Sequence, residues 1–407
     1  MKLKSIGFEN YKAFQKEQTL TIKPITILIG KNSSGKSSIA KLFTLLDNSL
    51  SGKIEEPLLL NNHNVSIGGE FRDLVYKRIP ATPVNFVVTF DDGTVLKTSI
   101  VQNRDEYPLT VFEWEIISEG FSLGLRYQVS TSEYIETTTQ VPYICDFRGF
   151  IPTNIIAPSK INILERINLD LSIDVDYIGP FRIVPDREFH LTGQIHYPRT
   201  GVKGENAYAL LGVSKNLKTD LHTKVGDWFE QYFNGWRLEI DNTNRPFIEL
   251  NLVRNDTDVN IVDVGQGMGQ ALPLIVRANI GRENSLIILE QPELHLHPAA
   301  HGDLAELFAK SAKEFNQNFI IETHSENIIL RIRKLIIEND FNLTFDDVII
   351  YFVDESGDSG QELMEITIDE EGVLSNWPEG VFNENLDEVL EMRKALTRKK
   401  TNQVDDH

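Results

Sequence analysis

The chain has 407 residues, of which 41% are hydrophobic, which is enough for one large α/β domain with an insertion or for two smaller domains. Its formal net charge of −20 argues against nucleic-acid binding by the bare surface, because acidic side chains repel phosphates unless a local basic patch overrides them. The one cysteine, Cys145, cannot form an internal disulfide, which fits a reducing compartment. No apolar run is long enough to span a membrane, and the N-terminus lacks the pattern of a signal peptide. We therefore expect a cytoplasmic protein.

The N-terminal residues predict a strand, a loop and a helix in direct succession. Residues 25–29 form an uninterrupted apolar run, typical of a strand that is covered on both faces. Apolar residues then recur at helical spacing, at Ile39, Leu42, Phe43 and Leu46.

Between that strand and that helix lies GKNSSGKS, which has the spacing G-x-x-x-x-G-K-[ST] of a phosphate-binding loop. Glycines allow backbone N–H groups to turn toward phosphates, and the start of the helix adds its positive dipole end. We expect Lys36 to neutralise phosphate charge and the Ser37 hydroxyl to bind Mg²⁺. The alternative is a Gly/Ser-rich loop that matches by chance. The predicted ATP-binding loop comprises Gly30, Lys31, Asn32, Ser33, Ser34, Gly35, Lys36, Ser37 and Ser38.

The middle of the chain predicts β structure and loops. Residues 83–143 alternate β-branched or aromatic residues with polar ones, which indicates an antiparallel β section with a turn at residues 91–93. A loop-rich stretch follows over residues 177–204. We interpret its segment YIGPFRIVPDR as support for this lobe, with binding of nucleic-acid phosphate as the alternative. Another hairpin is predicted over residues 236–253.

An α/β pattern returns near residue 263. It predicts strands over residues 286–289, 319–322 and 348–353, and helices over residues 298–315 and after a capping Ser325. Glu290 ends the first of these strands, where a carboxylate can hold Mg²⁺ as a Walker B acid. We expect His295 and His297 to shape the turn into the next helix rather than to bind a metal.

Four segments together resemble the ABC-type ATPase heads of the RecF, structural-maintenance-of-chromosomes and overcoming-lysogenization-defect (OLD) proteins. They are ENYKAF, GKNSSGKS, DVGQGMGQ, and EQPELHLHP with ETHS. The resemblance implies an α/β fold of the ABC-type P-loop NTPase head: a mixed sheet with flanking helices, an antiparallel β section and an inserted lobe. It divides the chain into the first half of the head (1–60), the lobe (61–255), the second half of the head (256–355) and a C-terminal extension (356–407) similar to that of small bacterial ATPases of this group.

The resemblance also implies how ATP is bound. Two heads sandwich two ATP molecules, so we expect a homodimer or larger homo-oligomer in which the signature segment of one copy caps the nucleotide of the other. His324 is expected to contact the γ-phosphate as a switch histidine. Lys12 either reaches the phosphates or is an exposed surface lysine. The expected signature contacts are Gly265, Gly267, Gly269 and Gln270.

One position departs from the family pattern. The residue after the Walker B acid is normally a glutamate that polarises the attacking water, and here it is Gln291, which can orient water but cannot accept a proton. We favour a slowly hydrolysing, ATP-gated switch. Two alternatives remain: Glu293 supplies the carboxylate, or Gln291 is an introduced substitution that traps the nucleotide. The predicted catalytic residues are Glu290, Gln291, Glu293 and His324.

The sequence shows neither the long heptads of chromosome-structure heads nor the second acidic cluster of a toprim nuclease, so we expect no nuclease activity in this chain. The leading hypothesis is an ATPase subunit of a bacterial DNA-associated or antiviral defence complex, with a separately encoded effector such as a nuclease. The alternative is an ATP-gated scaffold or regulator that does not bind nucleic acid, which the acidic charge favours.

Overall fold

The computed structural model describes residues 1–79, 81–102, 108–159, 162–164, 170–355, 360–378 and 381. The strands are β1 (Leu3–Glu9), β2 (Gln18–Thr21), β3 (Ile25–Gly30), β4 (Asn61–Asn62), β5 (Val65–Ser66), β6 (Val84–Phe90), β7 (Val95–Gln102), β8 (Leu109–Ser118), β9 (Phe121–Gln128), β10 (Glu133–Glu136), β11 (Pro142–Arg148), β12 (Ile151–Ile156), β13 (Asp174–Ile178), β14 (Phe189–His190), β15 (Arg237–Asp241), β16 (Phe247–Arg254), β17 (Thr257–Asn260), β18 (Ser285–Glu290), β19 (Asn318–Glu322), β20 (Val348–Glu355) and β21 (Gln361–Ile366). The helices are α1 (Lys36–Ser51), α2 (Ala207–Leu217), α3 (Leu221–Tyr232), α4 (Gln266–Ala278), α5 (Pro298–Phe315) and α6 (Glu326–Glu338).

A six-stranded sheet holds the phosphate loop. Its strand order is β13-β18-β19-β3-β20-β21, and every neighbouring pair is parallel except β20 and β21. The central strands β18 and β19 are buried at every residue, which explains their continuous apolar sequence. The carboxyl ends of β3, β18 and β19 therefore meet at one edge, the usual place for ligands in such sheets.

A nine-stranded antiparallel sheet forms a second layer, in the order β12-β11-β10-β9-β8-β7-β6-β1-β2. Its strands alternate buried and more exposed side chains, as in β6, because one face packs on the core. The predicted hairpin at residues 91–93 connects β6 to β7. Cys145 is half-buried in β11, and burial raises the pKa of its thiol to about 12.

Two apolar cores lie on opposite faces of the parallel sheet. One core joins the sheet to α1 and the antiparallel strands, and the other joins it to α2 through α6. Because side chains alternate along a strand, Leu28 contributes to the first core and Ile27 and Ile29 to the second. Each such fully buried side chain stabilises the fold by roughly 1.5–3 kcal/mol.

The predicted α/β class, with a mixed sheet, flanking helices and an antiparallel section, is confirmed. The sequence analysis missed α2, α3 and the edge strand β21. Strand β13 lies within the range 61–255 that was assigned to the lobe, yet it joins the parallel sheet beside β18. Of the predicted C-terminal extension, residues 356–359, 379–380 and 382–407 lie outside the described residues.

Helix α6 begins after Ser325, as predicted, but the Ser325 hydroxyl does not cap it. Its Oγ instead lies 2.8 Å from Nδ1 of His301 in α5, so this serine ties two helices together. None of the helices among the described residues is long and apolar enough to cross a membrane.

Candidate nucleotide-binding site

The phosphate loop leaves β3 and enters α1 through two glycines whose backbone few other residues adopt. Gly30 has a φ of 144°, and a Cβ there would lie 2.6 Å from the carbonyl oxygen of Val353. Gly35 has a φ of 103° and a Cβ there would lie 3.2 Å from the ring of Phe14. The loop is thus pressed against β20 on one side and against the ENYKAF segment on the other.

Lys36 and Ser37 begin the helix at the positions that the motif requires. The Lys36 side chain is 3% exposed, and its Nζ donates to the carbonyl oxygens of Gly30 at 2.9 Å and Lys31 at 2.7 Å. Burial lowers the pKa of Lys36, and the Glu322 carboxylate opposes that shift. The Ser37 hydroxyl donates to Oε1 of Glu322 at 3.0 Å.

Two buried carboxylates face this loop. Glu290 ends β18 and Glu322 ends β19, and the two residues are direct partners in the parallel register. They are 5% and 4% exposed. Burial raises the pKa of Glu290, and burial, followed by the Glu290 charge, raises the pKa of Glu322 to about 7. The Tyr177 hydroxyl hydrogen-bonds to Glu290, while Oε1 of Glu290 and Oε2 of Glu322 have no hydrogen-bond partner among the described residues.

The turn after β18 is fixed through its backbone. Gln291 has a φ of 45°, and its N–H donates to the carbonyl oxygen of Glu322 at 2.8 Å. Glu293 accepts the backbone N–H of His324 through Oε1 at 2.8 Å, and no described residue hydrogen-bonds to its buried Oε2. Desolvation and the Lys36 ammonium lower the pKa of His324. The structure thus brings the four predicted catalytic residues to one edge of the sheet, next to the phosphate loop.

Arg182 hydrogen-bonds to the backbone of the turn after β18. Its side chain is 6% exposed, and Nη2 donates to the carbonyl oxygens of Glu290 at 3.0 Å and Gln291 at 2.9 Å. Burial lowers the pKa of Arg182 to about 10, and the Glu293 carboxylate opposes that shift. The other arginine of its segment, Arg187, pairs with Asp263. Both arginines therefore have partners within the chain, which fits the support role that we favoured.

The predicted signature segment divides into an exposed part and an internal part. Gly265 is the N-cap residue of α4 and is exposed, and a Cβ on it would meet nothing within 4 Å. Gly269 is buried, and a Cβ there would lie 2.5 Å from Pro185. Gln270 is also buried, and its Nε2 donates to the carbonyl oxygen of Arg182 at 3.2 Å. Gly267 lies between, close to the carbonyl oxygen of His295. The side of α4 that carries Gly269 and Gln270 thus packs against the rest of the chain, and the role of these two residues in capping a second nucleotide stays a prediction.

The structure also shows the contacts of Lys12 and His297, for which the sequence analysis made predictions. Lys12 is half-buried rather than an exposed surface lysine, and its Nζ donates to the carbonyl oxygen of Ile67. His297 is the N-cap residue of α5, where Nδ1 accepts the N–H of Ala299 at 3.3 Å, so it shapes the turn into that helix as expected. The described part of the chain contains no group of three or more His, Cys, Asp or Glu placed to bind a metal.

Sequence reasoning missed Glu322, Arg182 and Tyr177 as site residues. Glu322 had a usable signal, because it ends one apolar strand as Glu290 ends another, and the carboxyl ends of parallel strands share an edge. Arg182 and Tyr177 had none that the sequence alone could supply. Their roles depend on β13 being the neighbour of β18.

A glycine loop between a buried strand and a helix, with buried acids at the adjacent strand ends, defines a P-loop nucleotide-binding protein. A family model described as an AAA ATPase domain matches residues 1–140 and 208–329. The chain belongs to this family of ATPase domains, as its resemblance predicted. A second model, a protein family of unknown function (DUF3696), matches residues 343–392, which span β20, β21 and the tail. No curated protein matches the chain.

The chain is also similar to solved heads of chromosome-structure proteins. The Smc head bound to the C-winged helix domain of ScpA is 14% identical, with a TM-score of 0.45 over 91% of this chain and 99% of that one. The SMC head domain from Thermotoga maritima is 12% identical, with a TM-score of 0.42 over 90% and 100%. An Smc head with an extended coiled coil, bound to the C-terminal domain of ScpA and derived from Pyrococcus furiosus, is 13% identical, with a TM-score of 0.44 over 97% and 99%.

Proposed function

We propose that this chain binds ATP with Mg²⁺ and hydrolyses it slowly, acting as a nucleotide-gated switch. The proposal rests on two features that lie side by side: a buried lysine in the phosphate loop, and carboxylates with unpartnered oxygen atoms at the ends of the facing strands. The Lys36 ammonium donates to carbonyl oxygens of its own loop. A triphosphate offers it anionic oxygens, which form stronger charge-assisted hydrogen bonds.

The residues present fit a magnesium ion. Mg²⁺ prefers oxygen ligands and takes one or two carboxylates together with phosphate oxygens and water. The Ser37 hydroxyl and the unpartnered Oε1 of Glu290 are the groups that would hold it. When bound, the ion neutralises the charge that develops on the phosphates.

The arrangement around the attacking water favours slow turnover. Gln291 can orient a water molecule but cannot take its proton. Glu293 could supply a carboxylate, but one of its oxygens already accepts the His324 N–H, and that bond fixes its side chain. The His324 imidazole is left to sense the γ-phosphate rather than to deprotonate water.

A second copy of the chain completes the proposed switch. The N-terminus of α4 is exposed around Gly265, and a helix N-terminus attracts anions such as a phosphate. We place the second nucleotide's γ-phosphate against this end, with Gly265 and Gly267 as its nearest residues. The wider role that we favour is an ATPase subunit of a bacterial, cytoplasmic DNA-associated or antiviral defence complex with a separately encoded effector such as a nuclease.

A scaffold or regulator that does not bind nucleic acid is the second candidate. The net charge of −20 favours it, because the surface would repel phosphates at long range. Duplex DNA binding measured from 20 mM to 200 mM salt with Mg²⁺ and ATP separates the two. Salt-dependent binding supports the DNA-associated role, and no binding even at the lowest salt supports the scaffold.

The nucleotide site is tested by isothermal titration of ATP with Mg²⁺. We expect Lys36→Ala to weaken binding by about 10- to 150-fold, since it removes a charge-assisted contact of about 1.5–3 kcal/mol. Lys53→Ala is the matched control, because Lys53 is exposed just beyond the same helix. Equal affinity for Lys36→Ala and the wild type would overturn the proposal.

Steady-state ATPase rates test the switch. Gln291→Glu restores a proton acceptor next to Glu290, so we expect turnover to rise by about 10-fold or more. Glu293→Gln should lower the rate much less. No gain from the first variant together with complete loss from the second would show that Glu293 is the base and that turnover is not limited by Gln291.

A further inference from the structure

The buried acids Glu290 and Glu322 form a pair that packing alone does not explain. They are register partners at the ends of β18 and β19, where adjacent strands lie about 4.8 Å apart. Both side chains are at least nine-tenths buried. Two like charges taken out of water at this spacing destabilise the folded chain unless a cation or a set of donors compensates them.

The chain compensates each acid only in part. Glu322 accepts the Ser37 hydroxyl at 3.0 Å, and Glu290 receives the Tyr177 hydroxyl. One oxygen of each carboxylate, Oε1 of Glu290 and Oε2 of Glu322, is buried without a hydrogen-bond partner in the part of the chain that the structure describes. Buried polar atoms are nearly always satisfied in native proteins, so two such atoms on neighbouring residues indicate a missing ligand.

The chemistry of that ligand follows from the atoms that face it. They are two carboxylates and one hydroxyl, an all-oxygen set that suits a hard divalent cation. Ser37 belongs to the phosphate loop, so the cation would sit where loop, β18 and β19 converge. The pair supplies two protein charges, and the remaining ligands would come from phosphate and water.

We propose that Glu322 is a second carboxylate of the magnesium shell, beside Ser37 and Glu290, and that the acid pair makes the empty site unstable until the cation arrives. This inference rests on the proposed function, because the same ion accompanies the nucleotide. It assigns a ligand role to the last residue of β19, the strand that lies next to the Walker B strand β18. It also predicts that the fold responds to Mg²⁺ through this pair.

The test combines thermal unfolding with cation titration. Glu322→Gln keeps the shape and removes one charge, so the variant should unfold about 2–4 °C higher than the wild type in EDTA. It should also need at least about 10-fold more Mg²⁺ for half-maximal ATP binding, and Mn²⁺ detected by paramagnetic resonance should show the same loss. Glu326→Gln is the matched control, because Glu326 is exposed in the first turn of α6.

The outcomes separate this inference from the proposed function. An unchanged Mg²⁺ midpoint in Glu322→Gln, with ATP binding intact, overturns the ligand role and leaves the nucleotide site standing. Failure of the wild type to bind ATP with Mg²⁺ overturns both. Partial rescue of the Mg²⁺ midpoint by Glu322→Asp supports a charge at this position over a merely structural role.

Discussion

The two large sheets differ in how many of their buried polar side-chain atoms lack a hydrogen-bond partner. Within the described residues, five with unpartnered buried side-chain atoms lie at the carboxyl edge of the parallel sheet or on the loops that face it: Ser34, Arg182, Glu290, Glu293 and Glu322. The nine-stranded sheet contributes Thr98 alone. Its large buried polar side chains are satisfied, since Trp114 Nε1 donates to the Phe150 carbonyl oxygen and the Tyr134 hydroxyl to that of Val111, both at 2.8 Å.

This difference indicates that the parallel sheet carries the binding site and that the antiparallel sheet supports it. An unsatisfied buried polar group costs about 1–3 kcal/mol, so a fold that leaves several at one edge must recover that free energy when a ligand binds. Among the described residues, the antiparallel sheet has this deficit only at Thr98, and it stabilises the first core. Mutations in the antiparallel sheet should therefore change mainly the free energy of unfolding, and mutations at the edge of the parallel sheet should change mainly nucleotide binding or kcat.

The largest effect on stability is expected in the antiparallel sheet. Trp114→Ala deletes a side chain that is 0% exposed and should lower the free energy of unfolding by about 3–5 kcal/mol, measured by urea denaturation. The ATP affinity of the folded variant, measured at low temperature, should stay within about 2-fold of the wild type. Glu113→Ala, which removes an exposed ion pair with Arg126, should change stability by less than about 1 kcal/mol. A large loss of ATP affinity in folded Trp114→Ala would contradict the division between site and support.

The next largest effect is expected on catalysis, from Arg182→Met. Losing the two bonds that hold the turn at Glu290 and Gln291 should lower kcat by about 10–100-fold, or about 1.4–2.7 kcal/mol of barrier. ATP affinity should change by less than about 3-fold, because Arg182 does not touch the phosphate loop in any described hydrogen bond. Stability should hardly fall, since methionine replaces an incompletely paired buried charge.

Arg187→Met provides the control on the same loop. Arg187 forms an exposed pair with Asp263, and such pairs contribute little to stability. Equal losses of kcat in the two variants would mean that Arg182 acts by holding the loop in general and not by positioning the catalytic turn.

The same comparison shows which parts of the molecule the sequence could predict. The phosphate loop, the strands that end at Glu290 and Glu322, and helix α5 follow from local patterns of glycine, apolar runs and caps, and they were predicted. Arg182 and Tyr177 were not, because their contacts depend on β13 pairing with β18, whose partner residues, such as Ile178 and Leu289, are 111 positions apart in the chain. The inward side of α4 was missed for the same reason, since its contact is Pro185 of a distant loop.

The smallest effect is expected at the boundary between the site and its support, in α4. A Cβ on Gly269 would lie 2.5 Å from the Pro185 ring, so Gly269→Ala should lower the free energy of unfolding by about 1–2 kcal/mol, after the better helix propensity of alanine offsets part of the clash. Gly265→Ala meets nothing within 4 Å and has a φ of −58°, so its stability should change by less than about 0.5 kcal/mol. Chemical denaturation of both variants measures these changes in the free energy of unfolding. If Gly269→Ala is as stable as the wild type but fails to dimerise with ATP and Mg²⁺, then Gly269 serves the partner's nucleotide as the family resemblance implied, and the inward packing does not define its role.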